Sequence, residues 1–123
     1  MKKFLCLLDY VATYPNVFIR FRASNMILHI DSDAAYLVAP KARSRIAGYY
    51  HLNSTSRNNL IHNGALLVEC RTLRHVVASS TKAETAGMFH NAQTAISIRY
   101  TLHQLGYSQP PTPLKTDNTN NYI

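Results

Sequence analysis

Apolar positions along the chain change their period several times. Phe4, Leu7, Leu8 and Val11 recur at helical spacing and predict a short amphipathic helix ending before Pro15, a packing element at the domain edge. Val17, Ile19 and Phe21 then alternate with Phe18, Arg20 and Arg22, and a β-rich run follows over residues 26–30 after the Ser24-Asn25 turn signal. Two strands are expected there, in an arrangement compatible with a hairpin. Over residues 34–45 the alternation weakens while Lys41, Arg43 and Arg45 gather, and residues 46–52 resume as a tyrosine-rich strand. Residues 53–59 read as a polar turn, and Leu66, Leu67 and Val68 form the centre of another strand behind the turn pair Asn63-Gly64. Residues 26–70 therefore read as three consecutive antiparallel strands joined by loops.

The longest periodic segment covers residues 82–105 and predicts a helix with Ala86, Phe89, Ala92, Ile96 and Leu102 or Leu105 near one face. Thr81-Lys82-Ala83-Glu84 has the form of a capping box at its start, and Gly106 stands where a terminating glycine belongs. A proline-rich linker over residues 109–113 leads into a short strand at Leu114-Lys115-Thr116-Asp117, and residues 118–121 are placed to begin another helix. After a helix of this length, a returning strand lies most easily parallel to a central strand. The fold class is thus α/β with a mixed sheet, and Asp117 should come to lie near the strand that holds Asp31 and Asp33.

Length and charge narrow the field. With 123 residues the chain is about one domain long, and a formal charge of +7 favours a polyanionic partner over an acidic protein surface. Cys6 and Cys70 have no metal-ligand spacing, so neither a disulfide framework nor a cysteine zinc site is indicated, and a reducing compartment fits. The start imitates the basic and apolar regions of a signal peptide, but Asp9 closes the apolar run and no cleavage site follows. No apolar stretch approaches the roughly 20 residues of a membrane span. The expectation is an intracellular protein, cytoplasmic or within a nucleus or particle, that engages no membrane.

The candidate chemistry lies in the six acidic residues, Asp9, Asp31, Asp33, Glu69, Glu84 and Asp117. Asp33 ends the first core strand, Glu84 sits in the first turn of the long helix and Asp117 ends the last strand. Hard divalent cations take oxygen ligands, so carboxylates from separate elements can hold them. A pair of such ions about 4 Å apart can activate water and steady the leaving oxygen of a phosphodiester. Each residue also has a plainer role: Asp33 and Asp117 as strand-end or capping carboxylates, Glu84 as the third residue of the capping box. Asp31 shares a strand face with Asp33 by alternation, as an accessory ligand or an exposed strand residue.

Three segments carry a family resemblance. Ser32-Asp33-Ala34, Ser79-Ser80-Thr81-Lys82-Ala83-Glu84 and Thr116-Asp117-Asn118 resemble, in order, motifs of the RNase H region of Ty/copia-type retrotransposon Pol polyproteins. Lys41-Ala42-Arg43-Ser44-Arg45 and Gly48-Tyr49 are similar to that family's basic loop and glycine-aromatic strand. The resemblance extends from about Leu7 to the end. It implies a connection segment over residues 1–22, a helix plus a strand, and a partial RNase H-like domain over residues 23–123.

By the same resemblance Asp33, Glu84 and Asp117 are the metal ligands and catalytic residues, holding two Mg²⁺ ions, with Mn²⁺ as a substitute and no small-molecule cofactor. The implied reaction is hydrolysis of RNA in RNA:DNA hybrids, and the implied partner is the reverse transcriptase domain of the same polyprotein. Discrimination of RNA would rest on 2′-hydroxyl contacts, with backbone near Asp33 and Asn118 as candidates. Family members add a fifth strand and a fourth acidic ligand from a later helix, whereas this sequence stops at Ile123. A piece of a longer polyprotein or a decayed copy is therefore expected, with impaired or absent activity.

The remaining motifs add less. His29, His51, His62, His75, His90 and His103 show no repeated short spacing with cysteine or acid, which disfavours zinc, and Ser79, Ser80 and Thr81 lack a nucleophile elbow and fit helix capping. Arg71, Arg74 and His75 beside Lys82, with Lys41, Arg43 and Arg45, suit either a phosphate-tracking surface or a solvated basic face. Tyr36, Tyr49 and Tyr50 suit base stacking or, more commonly, strand interiors. Two alternatives to the nuclease stand beside it. One is a catalytically dead, basic nucleic-acid-binding module of the same fold, and the other a small basic structural protein whose three acids lie far apart.

Overall fold

The computed structural model describes residues 1–54 and 62–117. Within them the order is α1 (Lys2–Thr13), β1 (Ile27–Ala39), β2 (Arg43–Asn53), β3 (Ala65–Thr72), α2 (Ser80–Gln104) and β4 (Leu114–Thr116). The four strands form one mixed sheet in the order β3-β2-β1-β4. β1 to β3 pair antiparallel as expected, and β4 lies parallel to β1, with Ile30 opposite Leu114 and Ser32 opposite Thr116. The chain is a mixed α/β structure whose long helix carries it back to the edge of β1. The expected start of a helix at residues 118–121, Asn118 itself and most of the polar turn at 53–59 fall outside the described residues.

Two N-terminal expectations need correction. Residues 17–22 alternate in character but join no sheet; the segment is fastened by Gly64 N–H donating to Arg20 O and by Asn63, whose side chain bonds both N and O of Arg22. Alternation without a neighbouring ladder yields an extended segment rather than a strand. The helix α1 forms where its spacing predicts, yet none of its residues is buried, so it does not pack as a domain-edge element.

β1 also runs further than its weakening pattern suggests. Its pairing with β2 shifts register between Ala35 and Ala39, where Leu37 takes a φ of 55° and the buried Ser44 hydroxyl accepts from Leu37 N–H. A bulge of this kind keeps the strand going while breaking the two-residue period.

The core lies between the sheet and α2. Leu28 and Ile30 of β1, Tyr50 and Leu52 of β2, and Ala95 and Leu102 of α2 form its central cluster. Of the apolar face that the spacing predicts, Leu102 is buried, but Phe89 and Ile96 remain 62% and 68% exposed, and Ala83, Glu84, Gly87, Asn91 and Ala95 turn inward instead. Small residues at 83, 87 and 95 let the backbone approach the sheet, and the two inward polar side chains are held by hydrogen bonds that replace water. At the far end Gly106, at φ 91°, closes a Schellman motif: Gly106 N–H donates to His103 O and Tyr107 N–H to Leu102 O.

Asn91 is the polar tie in the middle of this interface. Its amide donates to Ser32 Oγ and Ala47 O, each at 2.9 Å, and its Oδ1 accepts from the buried Tyr50 hydroxyl at 3.0 Å. Gly48 is required beside it, since a Cβ there would lie 2.5 Å from Asn91 Oδ1 and 2.9 Å from Tyr50 Cε2. Gly48→Ala should therefore cost about 1–3 kcal/mol by overpacking, measured by denaturant unfolding. Asn91→Ala should cost a similar amount by stranding buried partners, and the double variant should cost less than the sum because the alanine at 91 makes room. Strict additivity would contradict the contact.

Candidate metal centre

The geometry of the acidic site begins with the N-terminus of α2. Ser79, in extended conformation, is the N-cap and its hydroxyl accepts from Lys82 N–H. Thr81 therefore lies inside the helix, and Glu84 is not the third residue of a capping box. One turn further in, its carboxylate faces the sheet and is only 5% exposed. Glu84 Oε1 accepts from Ala34 N–H at 3.1 Å, and Oε2 accepts from the Thr116 hydroxyl at 3.2 Å. These partners are the residue after Asp33 and the residue before Asp117. A single carboxylate thus bridges the middle of β1 and the end of its parallel neighbour β4, and stands between the two exposed aspartates.

Asp33, Glu84 and Asp117 converge, each offering an oxygen within 4.8 Å of the others. The separation of the three acids expected for a small basic structural protein is not found. Burial raises the Glu84 pKa most; the bonds from Thr116 and Ala34 lower it, and the charges of Asp117 and Asp33 raise it again. Among the described residues no lysine or arginine forms an ion pair with any of the three. An all-oxygen donor set with uncompensated negative charge fits a hard divalent cation such as Mg²⁺.

Asp31 does not join this group. Its carboxylate lies with His51 and His62, again with ligand atoms within 4.8 Å of one another, so histidines of β2 and of the segment before β3 meet one aspartate of β1. His29 stacks on His51 with ring centroids 5.5 Å apart. Burial is the main cause lowering the pKa of both His29 and His51; at His29 the Lys115 charge assists and Asp31 opposes, whereas at His51 Asp31 opposes and His29, His62 and Lys115 assist.

The other sequence candidates have mixed fates. Arg71, Arg74 and His75 line a cavity of about 510 Å³ with Ile46, Ala86 and His90, and none of the three clustered acids contributes to its wall. Arg71 is paired with Glu69 at 2.6 Å. Lys41 occupies the β1–β2 turn at φ 62°, and Arg43 Nε donates to Pro40 O. Tyr50 is a core residue; Tyr49 is half-buried and its hydroxyl donates to Asn63 O at 2.7 Å. Cys6 and Cys70 are free and exposed, and no described helix is long and apolar enough to cross a membrane.

The contribution of Thr116 and of Asn91 escapes sequence reading. Thr116 directly precedes Asp117 in the sequence, but its bond to Glu84 needs the crossover to be known. Asn91 falls one turn from Gly87 and Ala95 on the inner face, a small-and-polar stripe that hydrophobicity alone passes over. Comparison with known proteins adds nothing: no family model matches the chain, and neither curated proteins nor solved structures give a significant match.

A carboxyl whose pKa is raised by folding favours the protonated native state. Its stabilising contribution is complete below the ordinary carboxylate range and is lost as pH rises through the raised value. Without divalent metal, the wild-type melting temperature should thus carry a component that falls as pH rises out of the ordinary carboxylate range and through the raised Glu84 value. Glu84→Gln retains hydrogen-bonding capacity toward both partners and should remove that component. Glu84→Ala removes this acceptor from Ala34 and Thr116 and should destabilise by about 1–3 kcal/mol. Thermal melts across pH decide it; identical profiles for wild type and Glu84→Gln would refute the assignment.

Proposed function

We propose that this chain carries the catalytic face of an RNase H-like domain, of the kind found in retroelement polyproteins, which hydrolyses the RNA strand of RNA:DNA hybrids. The observation that carries this reading is the meeting of Asp33, Glu84 and Asp117, from a central strand, a helix and a returning parallel strand, within 4.8 Å of one another. Their order and contexts agree with the motif resemblance. The net charge of +7 agrees with a nucleic-acid substrate.

Asp33, Glu84 and Asp117 would hold Mg²⁺ or Mn²⁺. When bound, such ions supply charge neutralisation at the scissile phosphate and lower the pKa of water. The chain contributes position: Glu84 is fixed by Ala34 and Thr116, and the exposed Asp33 and Asp117 present their oxygens beside it. In the hydrolysis, water oxygen bonds to phosphorus while the bond to the 3′ oxygen breaks. The products are a 5′-phosphate and a 3′-hydroxyl, and a proton passes to the departing oxygen. Selection of RNA rests on 2′-hydroxyl contacts from backbone near Asp33, and the reverse transcriptase domain of the same polyprotein is the natural partner.

Cleavage of a labelled RNA:DNA hybrid tests the proposal. Mg²⁺-dependent products with 5′-phosphate ends are expected, with Asp33→Asn and Asp117→Asn each reducing the rate by about 100-fold or more, the scale on which single electrostatic contributors to a transition state act. Equal rates for wild type and Asp33→Asn would overturn the assignment. Hybrid binding without cleavage would favour a basic scaffold of the same fold instead, a reading with which the net charge of +7 also agrees.

A further inference from the structure

The sheet carries a second ligand cluster whose chemistry differs from that of the three acids. Asp31 on β1, His51 on β2 and His62, in the segment leading into β3, bring together one carboxylate oxygen and two imidazole nitrogens within 4.8 Å of one another. Asp31 Oδ2 lies 3.5 Å from His62 Nδ1 and 3.9 Å from His51 Nδ1. The second distance is too long for a hydrogen bond. The His51 side chain is 4% exposed, and its buried Nδ1 has no hydrogen-bond partner. A buried nitrogen left so carries an uncompensated desolvation cost unless something else engages it, and this one lies beside the acidic group of its cluster.

We infer that Asp31, His51 and His62 form a binding site for Zn²⁺ or a closely related first-row transition cation, separate from the Mg²⁺-type site at Asp33, Glu84 and Asp117. Two nitrogens and one carboxylate oxygen are a borderline-soft donor set, which first-row transition ions prefer and Mg²⁺ does not. Three protein ligands leave at least one coordination position for water or an anion. His62 is 73% exposed at its side chain, so the ion has a route from solvent, and its engagement would tie the segment before β3 to the face of β1 and β2. The inference does not depend on the nuclease reading, since it uses none of the three clustered acids.

Titration of the full chain with zinc chloride in excess Mg²⁺, followed by calorimetry, gives the first readout. One zinc ion per chain is expected, with affinity reduced by about 100-fold or more in His62→Ala and Asp31→Asn, beyond the range for loss of a mere outer-shell partner. Asp117→Asn should bind zinc as the wild type does. Histidine ¹⁵N spectra of the wild-type chain give a second readout that needs no substitution: zinc should shift the ring nitrogens of His51 and His62 and leave those of His75, His90 and His103. Unchanged affinity in His62→Ala, zinc lost in Asp117→Asn, or zinc shifts absent from His51 would each overturn the site.

Discussion

The structure turns on one buried carboxylate. Removing an ionisable group from water is costly unless hydrogen bonds replace hydration, and Glu84 meets that condition with the Ala34 amide and the Thr116 hydroxyl. Because those partners belong to β1 and β4, the position of α2 against the sheet and the parallel pairing of the two strands are parts of a single arrangement. The same arrangement brings two further carboxylates beside the first. Electrostatic strain at the site and the capacity to bind a cation thus have one origin.

Around that carboxylate the helix–sheet interface divides along its length. Toward the start of α2 it is polar and narrow, with Glu84, Gly87 and Asn91 against Ser32, Ile46 and Gly48. Toward the helix end it is apolar, with Ala95 and Leu102 over Leu28, Ile30, Tyr50 and Leu52. Hydrophobic burial supplies the non-directional attraction at one end; directional hydrogen bonds fix angle and register at the other. Small side chains at 83, 87 and 95 allow the close approach that both require.

Much of this was legible in the residues, and the failures have definite causes. The three antiparallel strands, the long helix, its terminating glycine and the parallel return of β4 follow from period, turn chemistry and connection length. The convergence of Asp33, Glu84 and Asp117 follows from the same topology. The buried face of α2 did not, because Phe89 and Ile96 outweigh Gly87 and Asn91 on any hydrophobic count, while hydrogen bonding decides which side turns inward. The capping residue was misplaced by two positions, because Ser79, Ser80 and Thr81 are all competent caps and only backbone conformation distinguishes them. The meeting of His51 and His62 with Asp31 was invisible, since it depends on β1–β2 register and on where the chain returns before β3.

Strand β1 thus presents two kinds of ligand set two residues apart, oxygen-only around Asp33 and nitrogen-rich around Asp31. The central claim is that the oxygen set acts as one divalent-cation centre. Paramagnetic broadening of backbone amide signals by substoichiometric Mn²⁺, in the presence of saturating Zn²⁺, tests it most directly. The account predicts selective loss of the Asp33, Ala34, Glu84, Thr116 and Asp117 signals, restored by excess Mg²⁺. Broadening spread over the surface, or centred on Asp9 or Glu69, would contradict it.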